Sequence, residues 1–272
     1  MPHPAFLDTD TLRHALGGYA DTVDITLLDT VDSTNNTAKS TALTVNRPAL
    51  YVAHTQTGGR GRLGRSFHSP ADTGLYMTVA YTTDRPLTEA VRVTAGAAVA
   101  AVTAIETLTD KSPAIKWVND VYLDGCKIGG ILTEAVTLPD GRNRMIVGLG
   151  LNLTTTEFPD GLRAPASCLF NASEAVLATP AFMGTLAGEI TRRLLELADG
   201  APNGGLWGED CLTFYRRHLL YVGDSVLCTR GSEAFEGIVM GVNDDYSLVV
   251  KSERETHILS SGEISVRPSH RA

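Results

Sequence analysis

The segment from Gly58 to Arg65 constrains the fold of this chain more than any other feature, because four glycines and three arginines fall within eight residues. It follows an apolar run at 49–53 and precedes another at 75–80, so it predicts a loop between two strands. Glycine lets backbone N–H groups converge on an anion, and the arginine side chain matches phosphate or carboxylate. The loop is therefore a candidate site for an anionic ligand.

Two simpler interpretations of this loop are open. A solvated, flexible basic loop and an arginine–glycine stretch that contacts RNA nonspecifically are both typical of such an octamer taken alone. A Walker-type phosphate loop is excluded, because the spacing Gly-x4-Gly-Lys-Ser/Thr does not occur in the chain.

At 272 residues the chain can bury one sizeable core and carry a small appended domain. Its net charge of -8 and pI near 5.3 argue against broad binding to nucleic acids or membrane surfaces. The N-terminus has no signal-peptide pattern, and no apolar stretch approaches the ~20 residues of a membrane span. We therefore expect a soluble, cytoplasmic protein. The four cysteines form no C-x-x-C pair, which favours ordinary thiols over a zinc site or a disulfide framework.

The periodicity of apolar residues predicts an α+β protein. Helices are expected from an N-cap at Asp10, from an N-cap at Ser33 to Leu43, and over 88–108, 180–200 and about 207–219. Strands are expected at 24–28, 114–118, 127–136 and 145–153. Five more short strands predict a small C-terminal barrel, at 225–229, 235–242, 247–251, 256–260 and 264–266.

Four further stretches carry residues that a binding site could use. They are Asp32-Ser33-Thr34-Asn35-Asn36, Lys116-Trp117-Val118-Asn119-Asp120, the segment from Lys127 to Glu134, and Gly148-Leu-Gly-Leu-Asn152. Each also has a purely structural interpretation, such as helix capping for Ser33 or a turn for the Asn-Asp pair. The last stretch lacks the third glycine and the following helix of a dinucleotide fingerprint, so we reject a Rossmann interpretation.

Taken in order, these motifs resemble the biotin–protein ligases. That family has Ser-Thr-Asn, Gln-x-x-Gly-Arg-Gly-Arg-x-Gly-Arg, Lys-Trp-Pro-Asn-Asp, Lys-x-x-Gly-Ile-Leu-x-Glu and Gly-x-Gly-x-Asn, and the resemblance covers roughly residues 30 to 153. It implies a mixed sheet covered by helices, similar to class II aminoacyl-tRNA synthetases, with a small C-terminal SH3-like β-barrel. Residues 1–220 would form the catalytic domain and 221–272 the SH3-like domain.

The activity that this resemblance implies has two steps. Biotin reacts with ATP to give biotinyl-5′-AMP, and a lysine of a biotin carboxyl carrier domain of an acyl-CoA carboxylase then takes the biotinyl group. Because an unactivated carboxylate cannot acylate an amine at neutral pH, activation is required. Two anions must approach each other in the first step, so cations from the protein and Mg2+ must offset their repulsion.

The resemblance also implies roles for individual residues. Those expected to take part in catalysis are Lys127, Arg62 and Asp120. Those expected to bind biotin are Ser33, Thr34, Asn35, Gln56, Gly59, Arg60, Arg62, Lys127, Gly129 and Gly130. Those expected to bind ATP or the adenylate are Arg60, Arg62, Arg65, Phe67, Lys116, Trp117, Asn119 and Asn152. Mg2+ is expected to bind mainly through the nucleotide phosphates, and its protein ligands are left open.

Two residues depart from the family pattern, and they affect the expected pocket. Val118 replaces the usual proline, which restores a backbone N–H and frees φ, and Phe67 replaces the usual tryptophan and loses an indole donor. Neither change removes a charged group, so the expected reaction class is unaltered.

Two other functions are open as alternatives. A lipoate- or octanoate-transferring enzyme is expected to share the fold, but it would need an apolar tunnel in place of a polar head-group pocket. A non-catalytic nucleic-acid-binding module would use the basic loop with the barrel, and the acidic balance disfavours it. Residues 1–22 are too few for a helix-turn-helix, so we expect no DNA binding.

Overall fold

The computed structural model describes residues 6–162, 164–199, 209–230, 232–260 and 264–268. Its main element is a seven-stranded sheet with the order β1-β2-β3-β7-β6-β5-β4. β1 and β2 run parallel, and the other neighbouring pairs are antiparallel, so the sheet is mixed as predicted. The strands are β1 (Asp24–Val31), β2 (Ala49–Gln56), β3 (Gly74–Thr83), β4 (Ala114–Lys116), β5 (Asp120–Leu123), β6 (Cys126–Thr137) and β7 (Asn143–Asn152).

Five α-helices accompany this sheet in the described part of the chain. They are α1 (Thr9–Leu16), α2 (Thr34–Ser40), α3 (Ala90–Leu108), α4 (Pro180–Asp199) and α5 (Glu209–His218). α3 is rich in alanine and valine and packs against α4 and β6, and most of its residues are buried. Small side chains allow this close approach between helix and sheet.

α3 corrects one expectation about apolar stretches. With the preceding turn it forms a 22-residue segment, Leu87–Leu108, whose most apolar 18-residue stretch has a mean hydropathy of 1.4, so its length and composition would suit a membrane span. The fold buries 67% of that stretch, as is usual for the core helix of a globular protein. The prediction that no apolar stretch approaches such a length is therefore wrong for this helix.

The chain after residue 220 forms a second sheet of five antiparallel strands with the order β11-β10-β9-β8-β12. All five strands predicted there are confirmed: β8 (Ser225–Arg230), β9 (Glu233–Val242), β10 (Leu248–Lys251), β11 (Thr256–Leu259) and β12 (Ile264–Pro268). Apolar residues of both sheets belong to one continuous core. The Nε1 of Trp117 donates a buried hydrogen bond of 2.8 Å to the carbonyl of Tyr246, which ties the second sheet to the first.

The structure corrects three local predictions. α1 has its N-cap at Asp8, whose carboxylate accepts the backbone N–H of Asp10 at 2.9 Å, so the predicted N-cap at Asp10 is wrong. Ser33 is the N-cap of α2, as predicted, but its side chain makes no capping hydrogen bond and the helix ends at Ser40. The predicted strand 114–118 is instead the short β4, and a further strand, β5, follows it.

Candidate active site

The motif residues converge on one cleft at one end of the main sheet. It holds about 130 Å³ of free space and is lined by the basic loop, the start of α2, the β4–β5 turn, β6 and β7. Most of the predicted site residues line it: Ser33, Thr34, Asn35, Gln56, Arg60, Arg62, Arg65, Phe67, Lys116, Trp117, Asn119, Asp120, Lys127 and Gly130. The fold thus brings five segments of distant sequence into a shared cavity.

Three predicted residues lie behind the cleft lining. A Cβ on Gly59 would lie 2.3 Å from the carbonyl oxygen of Phe67, and a Cβ on Gly129 would lie 2.5 Å from a methyl carbon of Leu151. Asn152 is buried, and its amide donates to the carbonyl of Ser167 at 3.0 Å. These contacts give the three residues a role in packing the walls of the cleft.

The floor of the cleft is neutral and polar. Ser33, Thr34 and Asn35 are almost fully buried at the N-terminal end of α2. The Oε1 of Gln56 accepts the backbone N–H of Thr34 at 2.9 Å, and its Nε2 donates to Ser69 at 3.0 Å. Because buried polar groups are stable only when hydrogen-bonded, this floor has a fixed arrangement of donors and acceptors.

Two residues of the floor were not predicted from the sequence. The hydroxyl of Thr78 on β3 is fully buried and contacts both Thr34 and Asn35. A Cβ on Gly148 would lie 2.2 Å from the Oδ1 of Asn35, so glycine is required there for Asn35 to take its position. Gly148 lies in a motif that the sequence analysis identified. Thr78 could have been noticed only as a single polar residue within an apolar run.

The basic loop is a compact turn at the rim of the cleft. The backbone N–H of Gly61 donates to the carbonyl of Arg65 at 2.7 Å, and Leu63 and Gly64 have positive φ angles of 60° and 70°. The Arg62 side chain points inward and donates to Oδ1 of Asn119 at 3.1 Å. Burial lowers the pKa of this guanidinium, and the charge of Asp120 opposes the effect. Arg62 nevertheless stays cationic, because an ordinary arginine pKa is far above neutral.

Lys127 on β6 also lines the cleft. Its Nζ is 2.6 Å from Oδ1 of Asp120 on the neighbouring β5. A Cβ on Gly130 would lie 3.2 Å from the same Nζ, so the absence of a side chain there leaves room for the ammonium group. Lys116 on β4 reaches the hydroxyl of Tyr122 at 3.4 Å. Arg62 and Lys127 therefore face one cavity, where both could bind a single anionic ligand.

An aromatic wall closes another side of the cleft. A Cβ on Gly150 would lie 2.5 Å from the ring of Phe67, so this ring rests directly on the β7 backbone. Trp117 and, from the second sheet, Val266 also line the cavity. Val118 is buried, and its carbonyl accepts the hydroxyl of Tyr215 at 3.4 Å. The Trp117–Val118 peptide bond is cis.

Comparison with known proteins gives a family match for the part of the chain that carries the motifs. Residues 27–152, which contain nearly all of the motif residues, match the model described as the Biotin/lipoate A/B protein ligase family. These residues form a domain that matches this family.

The chain matches its relatives over different shares of their length. The chain is 39% identical over 149 residues to the "Bifunctional ligase/repressor BirA" of Bacillus spizizenii, which is 53% of this chain and 46% of that protein. It therefore spans about half the length of that relative. It is 27% identical over 248 residues to the "Biotin--[acetyl-CoA-carboxylase] ligase" of Paracoccus denitrificans, which is 88% of this chain and 98% of that protein.

Solved structures show a similar fold over most of the chain. The biotin protein ligase from Aquifex aeolicus in complex with biotin and ATP has a TM-score of 0.69 and 25% sequence identity, covering 90% of this chain and 99% of that one. The fold class of a biotin ligase catalytic domain with a second small sheet is thereby confirmed.

Proposed function

We propose that this protein is a biotin–protein ligase that forms biotinyl-5′-AMP from biotin and ATP and transfers the biotinyl group to a lysine. The observation that carries the proposal is that Arg62 and Lys127 both line one cleft with a neutral polar floor. The resemblance to an Aquifex aeolicus ligase that binds biotin and ATP supports the assignment of both substrates.

The floor and the rim suit different parts of biotin. A cyclic urea is neutral and has one acceptor and two N–H donors, which the buried Thr34 and Asn35 and the half-buried Gln56 can match. The carboxylate at the end of the biotin chain would then reach Arg62 and Lys127. Phe67 and Trp117 would contact the nucleotide base, and Arg60, Arg65 and Lys116 the phosphates.

The first step requires a carboxylate to attack the α-phosphate of ATP. Their repulsion in a poorly solvated cleft would raise the barrier by several kcal/mol, which is the order given by Coulomb's law at reduced dielectric. Fixed cations at Arg62 and Lys127 would offset this repulsion and stabilise charge on the departing pyrophosphate. Catalysis would therefore depend on positioning and electrostatics, without a covalent enzyme intermediate.

Mg2+ is proposed to enter with the nucleotide. In the ranges that the structure describes, no group of three or more His, Cys, Asp or Glu side chains could hold a metal ion. Asn119 and Asp120 offer oxygen atoms at the cleft, and such oxygens suit Mg2+ when phosphates and water supply its other ligands. When bound, the ion would neutralise phosphate charge.

The second step would use Asp120. Its carboxylate is paired with Lys127 at 2.6 Å, and binding of an anionic ligand to Lys127 would weaken that pair. Asp120 could then orient the incoming lysine amine and accept its proton. The acceptor is proposed to be a biotin carboxyl carrier domain of an acyl-CoA carboxylase, in the cytoplasm. Residues 1–220 would carry the catalytic site and 221–272 an SH3-like domain.

Biotin-dependent release of pyrophosphate from ATP tests this function. The purified protein should release pyrophosphate with biotin and Mg2+, and mass spectrometry should detect biotinyl-5′-AMP. Lipoate or octanoate should give no more than background, because a polar floor of Asn35, Thr34 and Gln56 does not match an apolar tail. Release with lipoate and none with biotin would overturn the proposal in favour of the lipoate alternative.

A further inference from the structure

The segment 165–169, called the strap below, runs beside Lys127 and bonds to its backbone. The N–H of Lys127 donates to the carbonyl of Pro165 at 2.8 Å, and its carbonyl accepts the N–H of Ser167 at 3.0 Å. On its other side Lys127 pairs with Tyr122 of β5. Lys127 therefore lies between two extended segments, and both hold its backbone in place.

The strap continues the main sheet where β7 stops. The pairing of β7 with β6 ends at Leu151 and Gly129, two residues away from Lys127. Beyond that point an isolated parallel bridge joins Lys127 to Ala166 of the strap. In the part of the chain that the structure describes, the backbone of Lys127 thus has β5 and the strap as its partners.

Asn152, the last residue of β7, holds the strap in place. Its Nδ2 donates to the carbonyl of Ser167 at 3.0 Å, and its own carbonyl accepts the N–H of Leu169 at 2.9 Å. Asn152 and Leu169 are almost fully buried, so loss of either hydrogen bond would leave a polar group without water to replace its partner. The amide of Asn152 therefore links the end of β7 to the segment that supports Lys127.

A second attachment lies just after the strap, at Phe170. Its N–H donates to the carbonyl of Leu153 at 2.9 Å. Its buried ring packs edge-on against Phe182 of α4, with 5.1 Å between the ring centroids. Asn152 and Phe170 thus hold the strap at different points and by different kinds of contact.

The backbone position of Lys127 matters because its ammonium group acts over a short distance. The Nζ lies 2.6 Å from Oδ1 of Asp120 and fits over Gly130, where a Cβ would lie 3.2 Å from it. Stabilisation of reacting charge requires fixed groups, and a displacement of ~1 Å can lower a rate by about 100-fold. A shift of the strap would therefore change the reaction through Lys127.

We propose that Asn152 is a positioning residue that acts on the ligand through the strap and Lys127. Its amide holds the strap, the strap fixes the backbone of Lys127, and Lys127 directs its ammonium group into the cleft. The family resemblance predicts direct binding of the nucleotide by Asn152, whereas this proposal gives it an indirect role. The inference rests on the proposed function, because it concerns the cation that acts on the carboxylate and the phosphate.

Asn152→Ala tests the proposal with two measurements. In 15N-labelled protein, hydrogen exchange of the Lys127 backbone N–H should become at least about 10-fold faster, because the carbonyl that protects it belongs to the strap. Rapid-quench measurement should show biotinyl-5′-AMP formation slowed by roughly 10-fold. KM for biotin should change less than threefold, because the polar floor is not altered.

Asn143→Ala is the matched control, on the same strand. Asn143 is the first residue of β7 and is also buried, and its Nδ2 donates to the carbonyl of Arg85 at 3.0 Å. The substitution removes the same kind of hydrogen bond ~30 Å away, at the opposite end of an extended strand. Neither the exchange of the Lys127 N–H nor the rate of adenylate formation should change.

Phe170→Leu loosens the strap without altering Asn152. Loss of the ring contact with Phe182 should make exchange of the Lys127 N–H about threefold faster and should slow adenylate formation by a similar factor. This variant decides the question if Asn152→Ala does not fold.

The outcomes separate the two proposals. An unsubstituted protein without biotin-dependent pyrophosphate release would overturn the proposed function and this inference with it. An active protein in which neither Asn152→Ala nor Phe170→Leu speeds exchange of the Lys127 N–H would overturn the inference alone. A higher KM for ATP with unchanged exchange in Asn152→Ala would also overturn it, because Asn152 would then contact the nucleotide directly. Equal effects in Asn143→Ala would do the same, since they would come from general destabilisation.

Discussion

The floor and the rim of the cleft are built from opposite kinds of contact. On the floor, Thr34, Asn35 and Thr78 are almost fully buried, and each takes part in several hydrogen bonds within the fold. On the rim, Arg60 and Lys127 keep 41% and 30% of their side-chain surface exposed, and each is paired with a carboxylate. The floor is therefore a preorganised recognition surface. On the rim, by contrast, Arg60 and Lys127 must leave their carboxylate partners before they can bind a ligand.

This contrast predicts different kinetic signatures for the two regions. Loss of a rim cation should reduce the rate of the chemical step, because the cation acts on charge that develops during reaction. Loss of a floor contact should mainly raise KM, because the floor holds a part of the ligand that does not react.

The largest effect is expected for Lys127→Ala. Removal of the ammonium group should lower the rate of biotinyl-5′-AMP formation by roughly 100- to 1,000-fold, which is typical for loss of one group that stabilises transition-state charge. Rapid-quench measurement of the adenylate would give this rate. Lys111→Ala is the control, because Lys111 forms a similar 2.6 Å pair with Glu174 away from the cleft. A rate close to that of the unsubstituted protein would remove Lys127 from the proposed chemistry.

The second largest effect is expected for Gly148→Ala, which tests the floor. The new Cβ would overlap Oδ1 of Asn35 at 2.2 Å, so Asn35 must move and the hydrogen bonds that it makes must weaken. We expect KM for biotin to rise roughly 10- to 100-fold and the free energy of unfolding to fall by about 1–3 kcal/mol. Gly18→Ala provides the comparison, because nothing lies within 4 Å of a Cβ at that position. Equal KM values in the two variants would mean that Asn35 is not needed in its observed position.

Thr34→Val tests the floor without a steric change. It removes one hydroxyl at nearly constant volume, and KM for biotin should rise about 10-fold, as for the loss of one buried hydrogen bond. The value of kcat should change less than threefold. A fall in kcat with KM unaltered would contradict the distinction between the floor and the rim, since it would give a floor residue the signature of the rim.

The smallest effect concerns pH. Burial alone would raise the pKa of Glu134, but hydrogen bonds from Lys39 and Asn35 outweigh it, so the pKa in the folded protein lies below its ordinary value of 4.5. Its ionised form therefore stabilises the fold at pH values above 4.5. That stabilisation is lost as the pH falls through the folded pKa. Urea titrations from pH 7 to pH 3 should therefore show Glu134→Gln to be less stable at neutral pH, with a difference that shrinks below about pH 4.5. A difference that grows in acid would reverse the assigned sign.

Local patterns were sufficient to predict the elements that depend on nearby sequence. Alternating apolar residues and turn residues located all five strands of the second sheet, and the apolar face of 88–108 located α3. β5 was not predicted, because it has only four residues and begins at the turn-forming pair Asn119-Asp120. Without β5, the register of β5 against β6, which puts Asp120 beside Lys127, could not be derived.

The features of the site that could not be predicted depend on contacts between segments that are far apart in the sequence. Asn35 and Glu134 are 99 positions apart, and their contact depends on where α2 meets β6. Gly148 and Gly150 belong to a motif from which only Asn152 was assigned, yet Asn152 lies behind the lining and the two glycines line the cleft. Gly148 and Gly150 are needed because a side chain at either position would collide with Asn35 or Phe67. The sequence does not show this need, since it depends on how Asn35 and Phe67 pack against the β7 backbone.

The hydrogen bond from Trp117 to Tyr246 has a practical consequence for anyone who shortens this protein. A fragment ending at residue 220 would lose the only acceptor that the described structure offers to the indole, and also the apolar side chain of Val266 at the cavity wall. Exposure of the indole to water would change its fluorescence. The emission wavelength of Trp117 could therefore report on whether the two sheets are engaged, with Trp207 replaced by phenylalanine to remove the second source of signal.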